Sequence, residues 1–184
     1  MLRVIAGELR GRRFGAPPGR DTRPTSDRVR ESLFDLLGPI PPEARVLDLF
    51  AGSGALGIEA LSRGAAGATF VESARTALAA LRANLEALGL ADRATVRAGD
   101  ALVGPEPPGG PFHRIFADPP YGAGAVGAAL VRAAAWLTDD GIVALEHGVR
   151  EAVPEAPEGL ALWKTRRYGD TVLSLFARTT EGSR

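Results

Sequence analysis

The chain has 184 residues, 45% of them hydrophobic and 24% charged, and it contains no cysteine. This is the composition of one globular domain whose core needs no covalent staple, and it excludes disulfides, thiolate metal sites and cysteine nucleophiles. The net charge is zero, but residues 1–30 hold eight arginines against Glu8, Asp21 and Asp27, a net +5, and the remainder carries −5. A basic arm on a mildly acidic body predicts local capture of phosphate, and almost every cation is an arginine able to grip it bidentately. No apolar run reaches the length of a membrane span, and Arg3 and Glu8 stand where a signal peptide would be apolar; a cytoplasmic location is expected.

In chain order, residues 3–7 and 12–14 predict a short hairpin with Gly11 in its turn. A Pro/Gly loop spans Gly15 to Pro24, and Thr25 or Ser26 can cap a helix through Val29, Leu33, Leu36 and Leu37, closed by Gly38 and Pro39. Strand and helix then alternate. Strands are predicted at Arg45–Phe50, Ala68–Glu72, Ala94–Ala98, Arg114–Ala117 and Gly141–Glu146. Helices are predicted at Ala55–Arg63, from a Ser73 cap to Gly89, and over 125–136. The tail breaks the rhythm: Leu160–Tyr168 and Thr171–Arg178 straddle Gly169-Asp170 as a hairpin. Alternating β and α elements predict a parallel sheet with helices on both faces.

Asp48-Leu49-Phe50-Ala51-Gly52-Ser53-Gly54-Ala55-Leu56-Gly57 carries the first chemical motif, at the junction of a strand and a helix. Small residues let a ligand approach the backbone, and the helix start offers unpaired N–H groups. Gly52, Gly54 and Gly57 also satisfy the dinucleotide fingerprint G-x-G-x-x-G, and a plain tight turn would need glycines too. Glu72 ends the next strand, where an acid can accept both ribose hydroxyls. NAD and S-adenosylmethionine are equal at that point. Asp48 separates them, because its charge would repel a pyrophosphate and favour an ammonium and a sulfonium. Asp100 could accept from an adenine amino group while the Ala101 N–H donates to the ring, although a helix N-cap is an equal reading of Asp100.

Asp118-Pro119-Pro120-Tyr121 follows the fourth strand of the alternating region, at the sheet edge where ligands sit in open parallel sheets. An exocyclic amine on a nucleobase is a poor nucleophile, since its lone pair is delocalised into the ring. A carboxylate and a backbone carbonyl that accept its two hydrogens pull the nitrogen toward a pyramid and aim the lone pair at a methyl donor. Asp118 and the Pro119 carbonyl are the acceptors, Pro120 stiffens the loop, and Tyr121 offers a stacking face worth about 1–3 kcal/mol. Arg10, Arg12, Arg13, Arg23 and Arg30 are candidate RNA phosphate contacts. His113 and His147 lack ligand spacing, and no metal is expected.

Arg3-Val4-Ile5-Ala6-Gly7, Arg10-Gly11-Arg12, Arg23 through Phe34, Leu47–Arg63, Asp118–Tyr121 and Tyr168-Gly169-Asp170-Thr171 together resemble the bacterial RsmD-type methyltransferases. The resemblance implies S-adenosylmethionine-dependent methylation of guanine N2 in 16S ribosomal RNA of the assembling small subunit, with ribosomal proteins as neighbours. It implies a class I methyltransferase fold, Rossmann-like, with a mostly parallel seven-stranded sheet, an antiparallel last strand and a short N-terminal β-hairpin. It also implies cofactor roles for the Asp48–Gly54 loop, Glu72, Asp100 and Ala101, with Thr25 and Arg28 near the methionine end. Residues 1–24 would be the basic hairpin extension and 25–184 one methyltransferase domain. Adenine-N6 methylation of DNA and a non-catalytic RNA-binding assembly factor stay open as alternatives. The short chain leaves little room for a DNA target-recognition domain, and the intact Asp118 and glycine loop speak against a non-catalytic role. Pyrimidine C5 methylation would need a thiolate that the chain lacks.

Overall fold

The computed structural model describes residues 1–16, 27–120 and 124–179. Strands β1 (Leu2–Arg3) and β2 (Arg13–Phe14) pair antiparallel as a hairpin, and helix α1 (Asp27–Leu37) follows. Next come β3 (Arg45–Leu49), α2 (Ala55–Ser62), β4 (Gly67–Glu72), α3 (Arg75–Ala87) and β5 (Ala94–Ala98). The chain continues with β6 (Phe112–Ala117), α4 (Ala125–Ala135), β7 (Leu137–Gly148), β8 (Leu160–Tyr168) and β9 (Thr171–Arg178).

The main sheet has seven strands in the order β5-β4-β3-β6-β7-β9-β8. All pairs from β5 to β7 are parallel, while β9 runs antiparallel between β7 and β8. This is the expected class I methyltransferase architecture. The chain builds outward from β3 through β4 to β5, then returns to β6 on the other side of β3. That reversal opens a crevice at the carboxyl ends of β3 and β6, where open α/β sheets bind ligands.

Strand residues alternate between two apolar layers. Val46 and Phe116 join the layer under α1, α2 and α3, whereas Leu47, Leu49, Ile115 and Ala117 join the layer under α4. Both faces are therefore covered, which is why β3 reads as an almost unbroken apolar run. Asp48 is the exception within that run. Helix α1 lies across the first face. Its Phe34 ring is 5.5 Å from that of Phe116, and its Leu36 carbonyl accepts a 2.9 Å hydrogen bond from Lys164 on β8.

The hairpin is fastened by one buried acid on α2. Glu59 accepts the N–H groups of Ile5 and Ala6 at 2.8 and 3.0 Å, and Arg63 Nε at 2.8 Å. Arg30 of α1 is fully buried beside it, Nε 3.9 Å from Glu59, and donates to Asp27 at 2.9 Å and to the Arg3 carbonyl. Burial pushes the Arg30 pKa down, and Glu59 and Asp27 pull it back up. Ser62 adds a second fastening, accepting from the Leu9 N–H and donating to the Ala6 carbonyl.

Three elements differ most from the sequence reading. The first hairpin strand is Leu2–Arg3 rather than 3–7, because Ile5 and Ala6 turn their N–H groups to Glu59 instead of the opposite strand. Strand β7 starts at Leu137 rather than Gly141, because Leu137 pairs with Phe112 and the polar Thr138-Asp139-Asp140 stretch is carried in the strand at a register shift. Helix α3 is not capped by Ser73, which is exposed; Ala74 is its N-cap residue, and the Ala74 N–H goes to Glu72. Among the described residues, no helix is long and apolar enough to cross a membrane.

Replacing Glu59 with Ala removes the acceptor of two hairpin N–H groups and of Arg63 and leaves buried Arg30 with Asp27 as its one counter-charge, so it should cost about 3–5 kcal/mol in a denaturant titration. A loss well under 1 kcal/mol would show that the hairpin is held by other contacts.

Candidate active site

The glycine loop turns sharply as it leaves β3. Phe50 adopts a left-handed backbone at φ 63°, an unfavourable conformation for a non-glycine residue and a marker of a constrained loop. The Ala51 N–H reaches the Val71 carbonyl at 3.0 Å, and the Gly54 N–H the Ala51 carbonyl at 2.7 Å. The three fingerprint glycines divide their work. A Cβ on Gly54 would lie 2.5 Å from Leu81, and one on Gly57 2.2 Å from the Phe70 ring, so both allow helices to close on the sheet. A Cβ on Gly52 would meet nothing closer than the Phe50 carbonyl at 4.0 Å, which leaves the loop open to a ligand at that point. Ser53 is buried, and its carbonyl accepts from Asn84 Nδ2 at 3.0 Å.

Asp48 is 2% exposed beneath this loop, and one of its oxygens accepts the Gly57 N–H at 2.9 Å. Burial pushes its carboxyl up to about 8; the Gly57 hydrogen bond opposes that rise and the charge of Glu72 adds to it. A cationic ligand group beside Asp48 would favour the ionised form, which fits the ammonium and sulfonium expected there. Glu72 is also buried, and its two oxygens accept the N–H groups of Gly52 at 2.8 Å and Ala74 at 2.7 Å. It thus sets the loop and starts α3, while each oxygen keeps a lone pair for a hydroxyl donor. Asp100 is exposed and accepts the Leu102 N–H at 2.8 Å in a turn; no α-helix follows it, so the N-cap alternative does not hold. Ala101 is buried beside it.

Asp118 and Pro119 leave β6 beside the glycine loop. Leu49 pairs with Ala117, so the residues following each strand emerge side by side on one edge of the sheet. Asp118 is half-buried, Pro119 buried and Pro120 exposed. Tyr121, Arg23 and Thr25 lie outside the described residues, and Arg28 is exposed in the first turn of α1.

The arginine arm is where the structure departs most from the sequence reading. Arg30 is no RNA contact: it is fully buried and paired inside the protein. Arg12 donates to the Ala87 carbonyl at the carboxyl end of α3, and Glu8 pairs with Arg93 at the start of β5. The hairpin tip therefore sits at the amino edge of the parallel strands, one length of α2, about 12 Å, from the glycine loop. Arg10 and Arg13 are exposed on that tip.

Sequence reasoning missed two buried polar residues with direct bearing on the site. Asn84 joins the arm to the glycine loop, donating to the Gly15 and Ser53 carbonyls and accepting the Gly15 N–H at 2.8 Å. Glu59 fastens the hairpin. Each is a polar residue on the apolar face of an amphipathic helix, and that signal could have flagged both. His113 accepts the Arg45 N–H, and His147 is buried against the Ser174 hydroxyl at 2.9 Å.

The family described as Conserved hypothetical protein 95 matches residues 2–177. Ribosomal RNA small subunit methyltransferase D of Escherichia coli K12 is 38% identical over 183 residues, 98% of this chain and 92% of that protein. YlbH of Bacillus subtilis is 38% identical over 182 residues, 96% of this chain and 99% of that protein. The solved structure of yhhF from Escherichia coli superposes with a TM-score of 0.86 at 36% identity, covering 98% of this chain and 99% of that one. With a sheet-edge site of this design and similarity along nearly its whole length, the chain belongs to the RsmD family of ribosomal RNA small subunit methyltransferases.

Proposed function

We propose that this protein methylates the exocyclic N2 of a guanine in 16S ribosomal RNA of the assembling small subunit. One observation carries the reading: Leu49 pairs with Ala117, so the glycine loop and Asp118-Pro119 share a sheet edge. S-adenosylmethionine is the methyl donor of this family and supplies an electrophilic methyl group when bound. The open face of Gly52, the buried Asp48 and the loop-setting Glu72 are the residues that would hold it. Asp118 would accept one hydrogen of the target amine, and the Pro119 carbonyl the other. Those two bonds would turn the nitrogen lone pair out of the ring system and toward the donor's methyl group, and the proton that the methylated amine sheds would pass to solvent. The catalysis asked of the chain is orientation and charge, with no covalent intermediate. A target base inside a helix would have to be flipped out of its stack, and Tyr121 is the residue proposed to receive it. Arg10 and Arg13 would act at longer range, attracting phosphate from the hairpin tip.

Asp118→Ala should lower methyl transfer to RNA about 100- to 1,000-fold and leave donor binding near wild type. Transfer of tritiated methyl, with nucleoside mass spectrometry to identify the product, reads both; full activity would remove Asp118 from the mechanism.

The raised Asp48 pKa gives a signed pH dependence. Below about 8 the free protein holds Asp48 protonated, and a cationic donor must displace that proton to gain the charge interaction. Donor affinity should therefore rise with pH toward about 8 and then level off, by up to about tenfold per unit. Calorimetry across that range checks it, and Asp48→Asn should flatten the profile. A flat wild-type profile would mean that the donor does not engage Asp48.

Reversing the charge at Arg10 and Arg13 should weaken RNA binding and lower the log–log salt slope by at most about two. An unchanged slope would show that the hairpin tip makes no phosphate contact.

A further inference from the structure

With the hairpin tip at the amino edge, other cations must serve the catalytic edge, and among the described residues the edge strand β8 carries two exposed arginines at that level. We infer that the free edge of β8 is a second RNA-contact surface, in which Arg166 and Arg167, projecting to opposite faces of the strand, hold phosphates and Trp163 offers a stacking face, on the flank of the site opposite the glycine loop. This rests on the RNA substrate proposed above.

Strand direction puts β8 in reach. It is antiparallel to β9, which is antiparallel to β7, so β8 runs the same way as β3 and β6 and ends at their carboxyl edge. Register fixes the level: Ala117 pairs with Leu145, Leu145 with Ser174, and Ser174 with Thr165. Arg166 and Arg167 are thus level with Asp118 and Pro119, three strand spacings away, or about 14 Å. That is a span of a few nucleotides from a base held at Asp118.

The chemistry of the strand suits a polyanion. From Leu160 to Tyr168 it has Lys164, Arg166 and Arg167 and no acid; Asp170 in the following turn is the next acid along the chain. Arg166 is exposed, with no hydrogen-bond or ion-pair partner among the described residues. Arg167 is exposed and uses only Nε, to the Gly169 carbonyl at 2.9 Å, which leaves the terminal fork for phosphate. Lys164 is committed: it donates to Leu36 and lies 3.7 Å from the centre of the Trp163 ring. Trp163 sits where the register shifts between Leu162 and Lys164, and 48% of it is exposed. An exposed indole on the same strand as two arginines, three and four residues before them, combines what single-stranded RNA sites use, a π-face for a base and cations for its backbone.

A simpler role for charge on an edge strand is to prevent edge-to-edge pairing, and a glutamate does that as well as an arginine. Charge reversal therefore isolates RNA contact. The Arg166→Glu/Arg167→Glu protein and, separately, Trp163→Ala are titrated with deproteinised 16S RNA over a range of salt. Donor binding by calorimetry reports on folding, and methylation of small subunits is measured in parallel. The double variant should bind RNA at least about tenfold more weakly, with the salt slope reduced by up to about two. Trp163→Ala should weaken binding about tenfold with little change of slope. Both should raise KM for RNA and keep kcat at saturation. Wild-type affinity and slope in the double variant would overturn the inference. So would normal binding to naked RNA with activity lost only on assembled subunits, which would assign β8 to a protein contact. A wild-type protein that neither binds nor methylates RNA would instead overturn the reading on which this one rests.

Discussion

The hydrogen-bonded pairing of β3 with β6 is the constraint on which the site depends. Each strand alone ends in an ordinary loop, one rich in glycine and one in proline. Parallel neighbours must end on the same side, so pairing converts two loops distant in sequence into one crevice. The two apolar layers hold this arrangement in place, because slipping either strand by one residue would turn Leu47 and Ile115 out of one layer and into the other.

Around that pairing, a few buried polar side chains do what apolar packing cannot. Glu72 binds one N–H of the glycine loop and one at the start of α3, so the loop and the helix behind it move together. Asp48 reaches the Gly57 N–H from beneath. Glu59 and Arg30 neutralise each other between α1, α2 and the hairpin, a buried pair whose removal one partner at a time is costly. The strained Phe50 backbone is tolerated because the residues after it are tied down by Val71 and Glu72.

Much of this was legible in the residues. β5, β8 and β9 match their predicted ranges to the residue, since each is bounded by Gly or another clear break. The glycine loop stood out in the sequence because close packing at Gly54 and Gly57 and a tight turn at Gly52 each call for glycine, and the Asp118 motif because paired prolines mark a stiff loop after a strand. The rest depended on tertiary partners that periodicity does not report. Arg30 reads as one more cation of a basic arm, and only its buried setting between Asp27, the Arg3 carbonyl and Glu59 makes it internal. Ser73 has the right chemistry to cap α3, but Glu72 sits closer to the first free N–H. Asp139-Asp140-Gly141 has turn composition, yet the pairing of Leu137 with Phe112 draws it into β7. Arg166 and Arg167 look unremarkable in sequence, and only the direction and register of β8 bring them level with Asp118.

Asn84 has a consequence for how such a protein can change over time. One amide serves two masters, the exit of the hairpin at Gly15 and the glycine loop at Ser53. A replacement at this position must answer to both, because one that suits a single end leaves a buried polar group without its bond at the other. The hairpin exit and the turn after β3 are thereby yoked through one side chain, so a rearrangement at either is felt at the other.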